Sequence, residues 1–158
     1  MQIEQTKAYI KKDRRMHIAT RLIDGATYNM LKNMKYYDNR GKDTSEKINA
    51  IRDIAKASPM LQIFPHFMGI EGNCRQVYYS AFDAIIPEFS MGNRTKQPPD
   101  NEINALISFG NMVAYTLTLD MIYHTQLNPT ISFLHEPGYR RYSLALGHFR
   151  SIQTHTRR

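Results

Sequence analysis

Cysteine, strand-like alternation and long hydrophobic runs are what this 158-residue chain has least of. Cys74 is the sole cysteine, so no disulfide framework within the chain can staple it, and a reducing, cytoplasmic setting is expected. No apolar run is expected to approach the roughly 18 residues that a membrane span needs. The opening residues, Met1-Gln2-Ile3-Glu4-Gln5, lack the basic and apolar regions of a signal peptide. No membrane association is therefore expected. Hydrophobic residues make up 42% of the chain and charged residues 22%, which argues against disorder and fits one globular domain with a real core.

Acidic residues are also short, and unevenly so. Up to Lys56 there are 13 Lys and Arg against 7 Asp and Glu, whereas the rest carries 8 against 7. Most of the +7 net charge thus comes from the first third of the chain. A cationic segment suits a polyanion, and the nucleic-acid backbone is the commonest one. A solvated helix face accounts for the same charge equally well.

The periodicity that is present is helical. Ala19, Leu22, Ile23, Ala26, Met30 and Met34 recur at spacings of three and four, the stripe of one buried helix face. The spacing predicts one long helix from about Gln5 to Tyr37, with Gly25 as its weak point. Asn39-Arg40-Gly41-Lys42 reads as a turn, and Asp43 with Glu46 as a capping box for a helix carrying Ile48, Ile51 and Ile54. Ser58-Pro59 should end it and Phe64-Pro65 mark an irregular stretch. A third helix, from near Gly69 to Ile86, should bury Ile70, Cys74, Val77, Ala81 and Ile85 before Pro87 stops it.

A polar loop from Met91 to Asn101 follows. Asp100 is the expected N-cap of a fourth helix with Ile103, Leu106, Ile107, Gly110, Ala114, Leu117 and Met121 along one side. Asn128-Pro129 breaks it, and Tyr142 to Phe149 could start a last helix. The predicted class is all-α.

Two residues invite a chemical reading. Glu71, flanked by Gly69 and Gly72, is expected in the first turn of the third helix, where the macrodipole favours a carboxylate. A plain ion pair with Arg75, four residues on, explains it as well. His135, in the loop Leu134-His135-Glu136-Pro137, is either an incidental loop histidine or a ligand. Imidazole with carboxylates and no thiolate set would suit Mg²⁺ or Mn²⁺.

Six segments in this order carry a resemblance: Gly69-Ile70-Glu71-Gly72, the loop from Asn93-Arg94 to Pro98-Pro99-Asp100, Asn104-Ala105-Leu106-Ile107-Ser108-Phe109-Gly110, Leu127-Asn128-Pro129, Leu134-His135-Glu136-Pro137, and Arg141-Tyr142-Ser143-Leu144-Ala145-Leu146. Together they resemble the CRISPR-associated endonuclease and integrase of spacer acquisition, in the wording of its subtype I-B branch. The likeness runs over nearly all of the chain to Leu146. It implies an all-α catalytic domain, residues 1–146, without the family's N-terminal β-rich domain. It also implies antiviral defence by insertion of spacer DNA into the repeat array, through transesterification at a divalent-metal site. Glu71 and His135 match two of its metal ligands and catalytic residues. Arg75, Arg94, Lys96, Arg140 and Arg141 are the expected DNA-phosphate contacts. The implied partners are double-stranded or branched DNA (spacer precursor and CRISPR repeat), a second copy in a homodimer, and a small ferredoxin-like adaptation protein.

After Leu146 the resemblance stops. The family continues with an acidic turn that supplies the third ligand, whereas this chain has Gly147 and Arg150 at those positions within a basic tail, residues 147–158. Written as codons with the first base skipped, that tail can spell Asp-Ile-Ser-Glu-Val-Phe-Lys-Pro-Ile-Leu-Val, the family continuation. One extra base near codon 147 would explain the change. The expectation is an inactive fragment; the alternative is a non-catalytic helical module that binds DNA or a partner.

Overall fold

A computed structural model describes residues 1–56, 64–134 and 142–146, with the backbone alone for 64–67. The described residues are helical, without strands: α1 (Gln2–Ile10), α2 (Lys12–Asp38), α3 (Ser45–Lys56), α4 (Phe64–Ser80), the single turn α5 (Phe82–Ile85) and α6 (Glu102–Tyr123). The all-α expectation holds.

The core forms where α2, α3 and α4 pack on one another. Ala19, Ile23, Met30 and Met34 of α2 meet Ile48 and Ile51 of α3, Ile70, Cys74 and Tyr78 of α4, and Ala81 just beyond it. Met34, Ile51 and Cys74 have no exposed surface. Met34 and Ile51 each contribute about 1.5–3 kcal/mol by leaving water. Of the stripe expected on the third helix, Ile70, Cys74, Ala81 and Ile85 are buried and Val77 is half-buried. A smaller cluster joins Ile122, Phe133, Leu144 and Ala145, with Ala8, Tyr9 and Ile18 against it.

Several boundaries differ from expectation. The long first helix breaks at Lys11, which is extended (φ −74°, ψ 103°), while Gly25 lies inside α2. The break brings α1 alongside α2, where buried Gln5 stitches a distant loop: its Nε2 donates to the Asn128 and Ile131 carbonyls at 3.0 and 3.1 Å, and its Oε1 accepts from Asn128 N at 2.8 Å. Tertiary hydrogen bonds outweigh local continuity here. Thr44, not Asp43, is the residue just before α3: its carbonyl accepts from Ile48 N at 2.9 Å and its hydroxyl donates to the Met34 carbonyl at 3.1 Å. Phe64-Pro65 opens α4 instead of interrupting the chain; proline is tolerated in a first turn, where its missing N–H has no partner to lose. The third helix also divides at Ala81 into α4 and α5.

The largest correction concerns α6. Leu106, Leu117 and Met121, expected along one side with Ile103, are 68%, 62% and 68% exposed while Ile103 is buried, and Phe109 and Met112 lie open beside them. The buried residues of α6 are Ile103, Asn104, Thr118 and Ile122. Over its 22 residues α6 is long and apolar enough, by length and composition, to cross a membrane. The expectation that no stretch approaches that size is overturned. Among the described residues, it is the one helix of that kind.

Candidate nucleic-acid groove

Glu71 sits well inside α4, because the helix begins at Phe64. The first-turn dipole argument therefore does not apply. Its side chain is 4% exposed, and Arg75, four residues along the same face, takes it: Nη2 and Nε lie 2.6 and 2.7 Å from Oε1. The ion-pair reading of Glu71 is thus realised. Burial alone would lower the Arg75 pKa, but the Glu71 carboxylate and Tyr79 outweigh it and the net shift is upward. Beneath them the Cys74 thiol is pushed up to about 11 by burial, with the Glu71 charge adding to the effect.

Arg75 faces a broad groove of about 1030 Å³. One wall is α4, through Gly72, Arg75 and Tyr79. The other is α6, through Ser108, Asn111 and Tyr115, and the loop with Asn93, Arg94 and Lys96 closes one side. Arg75, Arg94 and Lys96, three of the five expected phosphate contacts, therefore share one cavity.

The 91–101 loop is built rather than slack. Met91 N donates to Asp83 Oδ1 at 2.6 Å, and Asn101 Nδ2 donates to the Met91 carbonyl at 3.0 Å. The N-cap of α6 is Asn101, whose Oδ1 accepts from Asn104 N at 2.8 Å; Asp100, the expected cap, stands one residue earlier. Asp100 instead accepts from the hydroxyl of Thr95 and from Asn104 Nδ2 at 2.9 Å. The Thr95 hydroxyl, then Asn104, hold its carboxyl below the usual carboxylate range.

His135, Arg140, Arg141, Gly147 and Arg150 lie outside the described residues. What leads to them is described. Leu134, one residue before His135, is buried in the same cluster as Ile70 and Cys74, the near neighbours of Glu71. Arg15 Nε donates to the Phe133 carbonyl at 3.1 Å. Leu146, the last residue before the tail, lines the groove with Arg75 and Arg94. Among the described residues, no three His, Cys, Asp or Glu side chains come together as a metal set. Glu71 offers one carboxylate, already engaged by a cation, so these residues do not by themselves form a metal site.

Sequence reasoning missed Gln5 and Arg15, which hold the 128–133 segment, and Asn104, which organises the loop beside the groove. Asn104 stands at the head of one of the quoted motifs, and that was the available signal.

Residues 1–147 match the family described as CRISPR associated protein Cas1. The CRISPR-associated endonuclease Cas1 of Fusobacterium nucleatum is 43% identical over 145 residues, covering 91% of this chain and 43% of the relative. That of Methanothermobacter thermautotrophicus is 42% identical over 147 residues, covering 91% and 41%. A CAS1 protein structure from Thermotoga maritima superposes with a TM-score of 0.84 at 34% identity, over 96% of this chain and 46% of that one. A casposase bound to integration product gives 0.85 at 21% identity, covering 97% and 46%, a likeness of fold. The chain spans less than half the length of these relatives. It belongs to the Cas1 family and corresponds to that family's C-terminal helical part.

Proposed function

We propose that the groove between α4 and α6 is the DNA-binding face of a CRISPR-adaptation endonuclease and integrase domain. The observation that carries this is convergence. Glu71, the segment that ends one residue before His135, and Leu146 at the head of the altered tail come from distant parts of the chain. Leu146 lines one groove with Arg75, Arg94 and Lys96, Glu71 adjoins it through its ion pair with Arg75, and Leu134 packs in the core beside Ile70 and Cys74. Arg140 and Arg141 are proposed to extend that cationic rim. The chemistry of such a domain is phosphodiester exchange: a 3′-hydroxyl oxygen forms a bond to a repeat phosphorus as the old P–O bond breaks, and the leaving oxygen takes a proton. One ester replaces another, so no external energy is required.

In this reading Glu71 and His135 would hold Mg²⁺ or Mn²⁺, which would supply charge neutralisation at the phosphorus. The third, acidic ligand is missing, with Gly147 and Arg150 in its place, and a cationic side chain there opposes a metal. Arg75 already neutralises Glu71. This chain is therefore expected to bind DNA and to be inactive in cleavage. The full-length role would include a homodimer and a small ferredoxin-like partner, in the cytoplasm. The basic tail is proposed to arise from one extra base near codon 147; genomic sequence in which base-skipping fails to restore the family's reading would refute this.

A second reading, a non-catalytic module that binds DNA or an intact family member, is favoured by the Glu71–Arg75 pair, which fills the carboxylate without any metal. Labelled branched DNA with and without Mn²⁺ tests both. Salt-dependent binding without cleavage is expected. Metal-dependent cleavage abolished by Glu71→Ala would overturn the inactivity and leave the integrase assignment stronger.

A further inference from the structure

The carboxamide of Asn104 is the point on which the groove's loop turns. It is fully buried and satisfied on every side. Oδ1 accepts from Arg94 Nη1 at 2.9 Å and from Thr95 N at 3.2 Å. Nδ2 donates to the Asn93 carbonyl and to Asp100 Oδ1, both at 2.9 Å. An asparagine side chain has two donor hydrogens and two acceptor lone pairs, and this one uses all four on a single loop.

The consequence falls on Arg94. Its Nη1 is spent on Asn104 and on the Thr95 carbonyl. Its Nη2 donates to Ser108 Oγ at 2.9 Å, one helical turn beyond Asn104 on α6. The end-on edge of the guanidinium is thus docked on α6, and its carbon lies 6.0 Å from the Tyr79 ring centre on α4. Among the described residues, Nε takes no acceptor. The side-on edge, Nε with the remaining Nη2 hydrogen, is the geometry that grips two oxygens of a phosphate.

We infer that Asn104 is a positioning residue that docks one edge of Arg94 on α6 and so presents the other edge to a DNA phosphate in the groove. This rests on the reading of the groove as a DNA site. A side chain fixed in advance loses less rotamer freedom on binding than a mobile one. Replacing Asn104 should therefore act on DNA through Arg94 and not beside it.

The test is a double-mutant cycle on the full chain, with fluorescent branched DNA titrated at several salt concentrations. R94A and N104A should each weaken binding about tenfold and flatten the log–log salt dependence by about one, the share of one phosphate. Because they share one contact, the double variant should be no weaker than R94A. The Arg94 Nε–H signal in ¹⁵N spectra, sharp in the parent, should show motional averaging in N104A, a change that general loosening of the fold would not confine to this arginine. Should N104A fail to fold, S108A removes the second anchor and should move both readouts the same way by less. Additive losses, or an unchanged Nε–H signal in a folded N104A or S108A, would overturn the inference alone. A parent chain without salt-dependent DNA binding would sink the groove reading, and this inference with it.

Discussion

Helices α4 and α6 face each other across one groove but are built on opposite plans. On α4 the inner face is apolar (Ile70, Cys74, Tyr78) and the outer face carries the charged Arg75. On α6 the buried side mixes polar Asn104 and Thr118 with apolar Ile103 and Ile122, while Leu106, Phe109, Leu117 and Met121 point away from the fold. One wall is held by hydrophobic burial into a three-helix core. The other is held at its start by hydrogen bonds to a loop and toward its end by the small cluster around Ile122. Burial is non-directional and scales with area, so it can fix a helix without fixing any one side chain. Hydrogen bonds fix geometry, which suits a wall that must aim a guanidinium.

The largest test of that contrast compares matched truncations. Ile51→Ala, in the core against which α4 packs, should cost about 2–5 kcal/mol in urea unfolding. Leu117→Ala, on the open face of α6, should stay within about 0.5 kcal/mol. Equal losses would mean that the outer face of α6 is packed in solution, and the two-plan description would fail.

Much of the α4 side could be read from the residues. The three-and-four spacing of Ile70, Cys74 and Ala81 fixes which face goes in, because charged and polar residues occupy the opposite side. The same reasoning misplaced α6. Its apolar residues run nearly all round, so periodicity selects no face: the side that carries Leu106 and Leu117 is open, and Asn104 is buried. Asn104 could not be identified as a hub because its partners, Asn93 to Asp100, belong to a loop with no periodicity to read. The spacing of Glu71 and Arg75 makes their ion pair legible, but it carries no sign of a metal role for the carboxylate. The depth of Glu71 in the helix was missed because Phe64-Pro65 looked like a break. The bend at Lys11 is set by Gln5 reaching a loop more than a hundred residues away, a contact that no local pattern encodes.

A second test enters the α4 wall itself. Removing the Glu71 charge takes the anionic partner from a mostly buried Arg75, which is the costly way to break such a pair. Glu71→Gln keeps the volume, so the loss reports the charge: about 3 kcal/mol of stability at neutral pH. Replacing both residues at once, with Glu71→Gln and Arg75→Met, should recover most of it. A Glu71→Gln variant as stable as the parent would show that Arg75 finds solvent or another acceptor without cost, and that α4 does not depend on the pair.

The smallest expected effect lies beneath that pair, at Cys74. Burial first, then the Glu71 charge, push its thiol up from 9.0 to about 11, and burial pushes Tyr78 beside it up to about 12. In both cases the folded state keeps a proton that the unfolded chain releases earlier. Stability is therefore unaffected below about pH 9 and falls as pH rises through 9 to 11, by on the order of 2 kcal/mol for the thiol. Cys74→Ala loses some packing at every pH but should flatten this alkaline slope, which urea midpoints at pH 8 and pH 10.5 would show. The same burial makes the thiol inert, so a disulfide reagent should label Cys74 at the rate of unfolding and not at that of an open thiol. Rapid labelling of the folded chain would mean that the floor of the α4 wall opens to water, and the division between a wall held by burial and a wall held by hydrogen bonds would have to be redrawn there.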